Sequence, residues 1–132
     1  MLADTHILVW ALEGQRGRIG PKTWAMLQEK YRSVAVSSVS LFEIRLKQRR
    51  GKFTDINTVD ALNILRQRQV PILDVTVEQA IATPDVASVA HADPFDLLLV
   101  TQAQEKKLPL LTCDKTLLEL KLPGLKLIDA RQ

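Results

Sequence analysis

Apolar positions along this chain fall in short blocks whose spacing switches between the repeat of a strand and that of a helix. Residues 1–3 form a very short apolar segment ending at Asp4, which reads as a first strand. "ILVWAL" after it has the pattern of a short helix or turn. The glycine-punctuated "GQRGRIG" (14–20) is a loop, and Pro21 opens a helix to about Arg32. "SVAVSS" supplies a β-type run at 33–36. A helix follows from Ser37 or Ser38 to about Arg50, where Gly51 stops it. Thr58 to Gln69 is a further helix, and "VPILDV" a strand. Thr76 is the expected N-cap of a short helix ending before Pro84, and Asp93-Pro94 starts a long one to about Lys107. "LPLLTCD" is a strand ending at Asp114, "KTLLEL" a short helix and "LKLID" a last strand.

Strands alternating with helices predict an α/β fold, with a mostly parallel central sheet of about four or five strands flanked by helices. No repeat, linker or low-complexity run interrupts residues 1–132, which are read as a single domain. Sheets of this kind build their sites beyond the carboxyl ends of the strands.

Composition narrows the function classes. Apolar residues make up 46% and charged residues 25% of the 132, which argues against disorder. No run approaches the ~18–20 apolar residues of a membrane span. The start has no basic n-region and does not read as a secretory signal. A lone cysteine, Cys113, excludes an internal disulfide and fits a reducing cytoplasm, the expected location. Aromatic residues are only 5%, too few for an aromatic stacking platform of the kind many single-strand RNA binders use. The net charge is +3 with a pI near 9.2. Arg45, Lys47, Arg49, Arg50 and Lys52 concentrate much of that charge in "RLKQRRGK". Such a run is either a solvated helix face or a phosphate-contacting patch.

The acids carry the candidate chemistry. Asp4 directly follows the first strand and Asp114 comes two residues after "LPLL", so both lie at carboxyl strand ends on one rim. Each also suits a helix N-cap or a turn. In the helix 38–50, Val39, Phe42 and Leu46 share one stripe, which Glu43 borders. Ser40 and Glu43 match a capping box, but Ser37 and Ser38 are better placed to start this helix, leaving Glu43 in its second turn. An acid at a core edge is costly unless paired, protonated or bound to a cation. With Pro94 at the first helical position, Asp93 is the N-cap and Asp96 lies three residues on. The run "LLLVTQA" is apolar nearly all round, so the helix is expected to be buried and to carry Asp96 to the rim near Asp4 and Asp114. His6 and His91 without a cysteine cluster make no zinc site, and Cys113 has no activating base. No glycine-rich turn matches a P-loop or dinucleotide fingerprint.

"LADTHILVWAL", "SSVSLFEI", "HADPFDLLLVTQA" and "LLTCD" together resemble PIN domains, in order and in approximate spacing, and especially the VapC-type ribonuclease toxins. The resemblance spans essentially the whole chain and implies a PIN-like three-layer fold. It implies that Asp4, Glu43, Asp96 and Asp114 form the active site, with Asp4, Asp96 and Asp114 as metal ligands. Thr5 and Thr112 match small hydroxyl residues that hold a water or a carboxylate, and Asp93 matches an aspartate peripheral to the metal. Many relatives carry arginine after the "FD" pair, where Leu97 stands here.

Four carboxylates aimed at one spot, at ~3–5 Å, cannot all stay ionised without a cation, and hard oxygen donors suit Mg²⁺ or Mn²⁺. The implied reaction is metal-dependent endoribonuclease hydrolysis of RNA phosphodiester bonds. Arg45, Lys47, Arg49 and Arg50 leave the same helix as Glu43 and are expected to hold the RNA backbone. The resemblance further implies a homodimer and a VapB-type antitoxin partner. The competing readings are a non-catalytic PIN-like module binding RNA or protein, and a phosphohydrolase with Asp4 as nucleophile. The second would want an acid two residues on, where His6 stands.

Overall fold

The computed structural model describes residues 1–51, 55–82, 84 and 93–132. Its strands are β1 (Leu2–Ala3), β2 (Val36–Ser37), β3 (Ile72–Leu73), β4 (Leu110–Thr112) and β5 (Leu127–Asp129). One sheet runs β1-β4-β5 and the other pairs β2 with β3, all parallel. A parallel bridge between Leu2 and Ala35 joins them, with Ala3 N–H donating to Ala35 O at 3.0 Å and Ala35 N–H to Met1 O at 2.7 Å. The spatial order is therefore β3-β2-β1-β4-β5. The chain leaves β1 toward one edge and returns to add β4 on the other side, so the topological switch point lies between β1 and β4. That is where open α/β sheets place ligands.

The helices are α1 (Thr5–Leu12), α2 (Pro21–Glu29), α3 (Ser38–Arg49), α4 (Thr58–Gln67), α5 (Val77–Ile81), α6 (Pro94–Lys106) and α7 (Lys115–Leu118). The helix from Pro21 ends at Glu29, short of Arg32. A 3-10 turn at Tyr31–Ser33 follows, held by the Ser33 hydroxyl donating to Lys30 O at 2.7 Å. This shifts β2 forward from the expected 33–36.

Side-chain alternation along β1 and β4 sends their residues into two of the three core clusters. Leu2 and Leu110 pack with Val39, Leu99 and Val100 on one side, whereas Ala3 and Leu111 pack with Ile7, Leu27 and Ala130 on the other. Both sides of the central strands are covered, which is why they read as continuous apolar runs. Gly20 has a specific steric duty. Its N–H donates to Ala130 O at 2.8 Å, and a Cβ there would run into the backbone of Arg131 and Gln132. Among the described residues no helix is long and apolar enough to cross a membrane.

The expected stripe on α3 is corrected by the packing. Phe42 is 60% exposed, and the buried positions are Val39, Ser40, Glu43 and Ile44. The helix is wedged among α1, α4 and α6, which turns its inner face by one position and carries Glu43 into the interior. The middle of α6 is buried from Leu99 to Ala103, while Asp93 and Pro94 at its start are exposed.

Candidate functional site

Asp4 leaves the end of β1 and caps α1, its Oδ1 accepting from the backbone N–H of His6 at 2.7 Å and of Ile7 at 3.3 Å. Its Oδ2 accepts from the Thr112 hydroxyl at the end of β4. Thr112 Oγ1 in turn accepts from Asp114 N–H at 3.0 Å, and Asp114 Oδ1 caps α7 through Thr116 and Leu117. One threonine thus ties together the two acids that flank the switch point. Asp4 is only 3% exposed, and that burial raises its carboxyl above the usual range against the opposing pull of the Thr112 bond and of His6. Asp114 is exposed.

Glu43 is also 3% exposed, and its Oε2 meets Lys47 Nζ at 2.5 Å. Its Oε1 is buried with no hydrogen-bond partner among the described residues. Asp96, in the first turn of α6, ties the group together. Burial, followed by the charges of Asp93, Asp4, Glu43 and Asp114, pushes its carboxyl up to about 7. The four acids therefore share one electrostatic field. Among the described residues no three His, Cys, Asp or Glu side chains stand close enough to grip one ion as they are. The donor set nonetheless fits a hard cation, since a buried carboxylate oxygen lacks a partner and a carboxyl is forced toward neutrality by its neighbours.

The remaining candidates distribute unevenly. Asp93 is exposed and caps α6 through Phe95 N–H at 2.8 Å. Thr5 donates to the Ser40 hydroxyl at 3.0 Å, fastening α1 to the helix that carries Glu43. Arg45, Arg49 and Arg50 are exposed along the far half of α3. Lys47, expected beside them on the phosphate-facing side, is drawn to Glu43, because a buried carboxylate one turn earlier outcompetes water for its ammonium. Lys52 and His91 lie outside the described residues. Burial, then Asp4 and Asp129, raises the Cys113 thiol and keeps it protonated and unreactive.

Three features escaped the sequence reading. Ser40 was weighed only as a cap, the Glu43–Lys47 pair was signalled by its four-residue spacing, and a cavity of about 230 Å³ opens beside the acids. That cavity is lined by Asp4, His6, Trp10, Cys113 and Asp114.

The family model of the PIN domain matches residues 1–122. Among solved structures, a chain of VapBC2 from Rickettsia felis, bound to a DNA fragment from its promoter, superposes with a TM-score of 0.68. It is 18% identical, and the match covers 97% of this chain and 96% of that one. A chain of DNA-bound VapBC from Salmonella typhimurium gives 0.66 at 18% identity, over 97% and 96%. No curated protein matches the sequence. With a parallel sheet flanked by helices and a family match over nearly its full length, the chain belongs to the PIN domain family.

Proposed function

We propose that the chain is the VapC-type toxin of a toxin–antitoxin pair, a Mg²⁺- or Mn²⁺-dependent endoribonuclease acting in the cytoplasm. The observation that carries this reading is the geometry at the switch point, where Thr112 ties Asp4 to Asp114 at the ends of β1 and β4 and Glu43 Oε1 is buried with no hydrogen-bond partner among the described residues. Asp4, Asp96 and Asp114 would hold the cation, with Glu43 Oε1 as the buried donor behind them. Bound there, the ion would supply positive charge to the attacked phosphate and acidify a water. The protein's own part is positioning. Thr112 fixes Asp4 from one side while the α1 cap fixes it from the other, so the carboxylate cannot swing. Lys47 holds Glu43 in the interior, and Asp114, open to solvent, orients the attacking water. Arg45, Arg49 and Arg50 hold the RNA backbone. The likeness to chains of VapBC complexes supports a VapB-type antitoxin partner. A homodimer belongs to the same reading, with exposed Phe42 as a candidate contact.

The test is cleavage of RNA with Mg²⁺ or Mn²⁺, with and without chelator, by the unsubstituted chain and by Asp4→Asn and Asp96→Asn. Chelator-sensitive cleavage that each substitution lowers at least 100-fold is expected. Chelator-insensitive cleavage, or full activity in both variants, sinks the metal-nuclease assignment. RNA binding without cleavage under every metal condition would leave the non-catalytic module.

A further inference from the structure

The cavity beside the acids has two kinds of wall. Asp4, Cys113 and Asp114 form the one at the ends of β1 and β4. His6 and Trp10, one turn apart on α1, form the other, their ring centroids 5.6 Å apart and their planes tilted by 55°. Arg18, in the 3-10 turn Arg16–Arg18, lies over the Trp10 ring at 5.8 Å from its centroid. Trp10 is half-buried and packs against the core, whereas Arg18 is exposed.

We propose that this cavity is a nucleobase subsite, in which Trp10 packs against the base of the nucleotide next to the scissile phosphate, the tilted His6 ring meets the edge of that base and Arg18 meets a neighbouring phosphate. The occupant follows from the chemistry of the walls. Flat aromatic faces bind any base by stacking, an arginine resting on such a face presents its guanidinium to phosphate, and both adjoin the acids assigned to hydrolysis. A cavity of about 230 Å³ accommodates one flat base and not an extended strand. The loop "GQRGRIG", which matches no nucleotide-binding fingerprint, acquires a role as the carrier of Arg18. The inference rests on the nuclease reading and adds to it the residues that engage the substrate's base.

The experiment uses the full chain with Asp96→Asn to prevent cleavage and Trp24→Phe to leave Trp10 as the one fluorescent indole. It is titrated in Mg²⁺ with a short oligouridylate and with an abasic ribose-phosphate chain of equal length and charge. Oligouridylate is expected to quench Trp10 and the abasic chain to leave it unchanged. With affinities read from the anisotropy of dye-labelled oligomers, Trp10→Leu should weaken oligouridylate binding about ten-fold without altering abasic binding, and Trp10→Phe should retain most of the affinity. Equal quenching by both chains, or equal affinity in all three proteins, overturns the subsite. If cation-dependent cleavage by the unsubstituted chain persists in that case, the nuclease reading stands alone. Binding of neither oligomer, together with no cleavage, overturns both. Should Trp10→Leu fail to fold, the comparison of the two oligomers on the chain retaining Trp10 decides the matter.

Discussion

A carboxyl group that is both buried and ringed by other acids is unstable as an anion unless a cation joins it. Asp96 is in that position, and its folded pKa of about 7 lies above the ordinary 3.8. The folded chain therefore holds a proton that the unfolded chain has already released. The resulting stability is full below pH 3.8 and is lost as pH rises through about 7. Asp4, also raised, contributes in the same sense. Chelated protein should accordingly melt at a lower temperature at pH 8 than at pH 5, and Asp96→Asn should flatten that slope. The variant should be the more stable protein at pH 8, while Mg²⁺ or Mn²⁺ should stabilise the unsubstituted chain alone. A flat melting profile in the unsubstituted chain would contradict this account. Lys47→Met makes a second residue-scale case, because it removes the ammonium paired with buried Glu43. A loss of about 1–2 kcal/mol is expected in urea denaturation, with the partial exposure of Lys47 keeping it at the lower end for a buried pair.

At the scale of the element, the acids do double work as helix caps. Asp4 starts α1 and Asp114 starts α7, each accepting two backbone N–H groups. Asparagine keeps the cap and removes the charge, whereas alanine removes both. Asp114→Asn should thus melt close to the unsubstituted chain, with Asp114→Ala about 1 kcal/mol less stable, and on the proposed function both should lose cleavage. Identical stabilities would show that the cap contributes nothing. The start of α2 makes a different claim. Gly20→Ala places a methyl against the backbone of Arg131 and Gln132, and about 1–3 kcal/mol of destabilisation is expected from thermal unfolding.

For the whole molecule, the charge of +3 is unevenly placed, with the acids gathered at the sheet rim and Arg45, Arg49 and Arg50 exposed along α3. If these arginines meet phosphates, replacing one by glutamine should reduce the salt dependence of RNA binding by about 0.7 of a logarithmic slope unit. An unchanged slope removes that residue from the interface. Exposed Phe42, whose ring meets Phe95 edge-on at 5.8 Å, tests the proposed homodimer. Phe42→Lys should shift a dimer toward monomer in size-exclusion chromatography, with little effect on melting of the separated subunit.

The order of strands and helices, the caps at Asp93 and Thr76, and the placing of Asp4 and Asp114 after parallel strands were legible from the chain itself. They depend on local rules: apolar periodicity, a proline at a helix start, and parallel strands ending on a common edge. The orientation of α3 was not legible, because three packed helices and not its own periodicity select which face is buried. That choice exposed Phe42, buried Glu43 and drew Lys47 away from the solvent-facing arginines. The cavity lined by His6 and Trp10 likewise exists only where α1 folds back beside β4, joining residues more than a hundred positions apart. Local sequence determined which acids the chain carries and where its elements begin. Long-range packing alone decided which carboxylates lose water and which aromatic rings stand beside them.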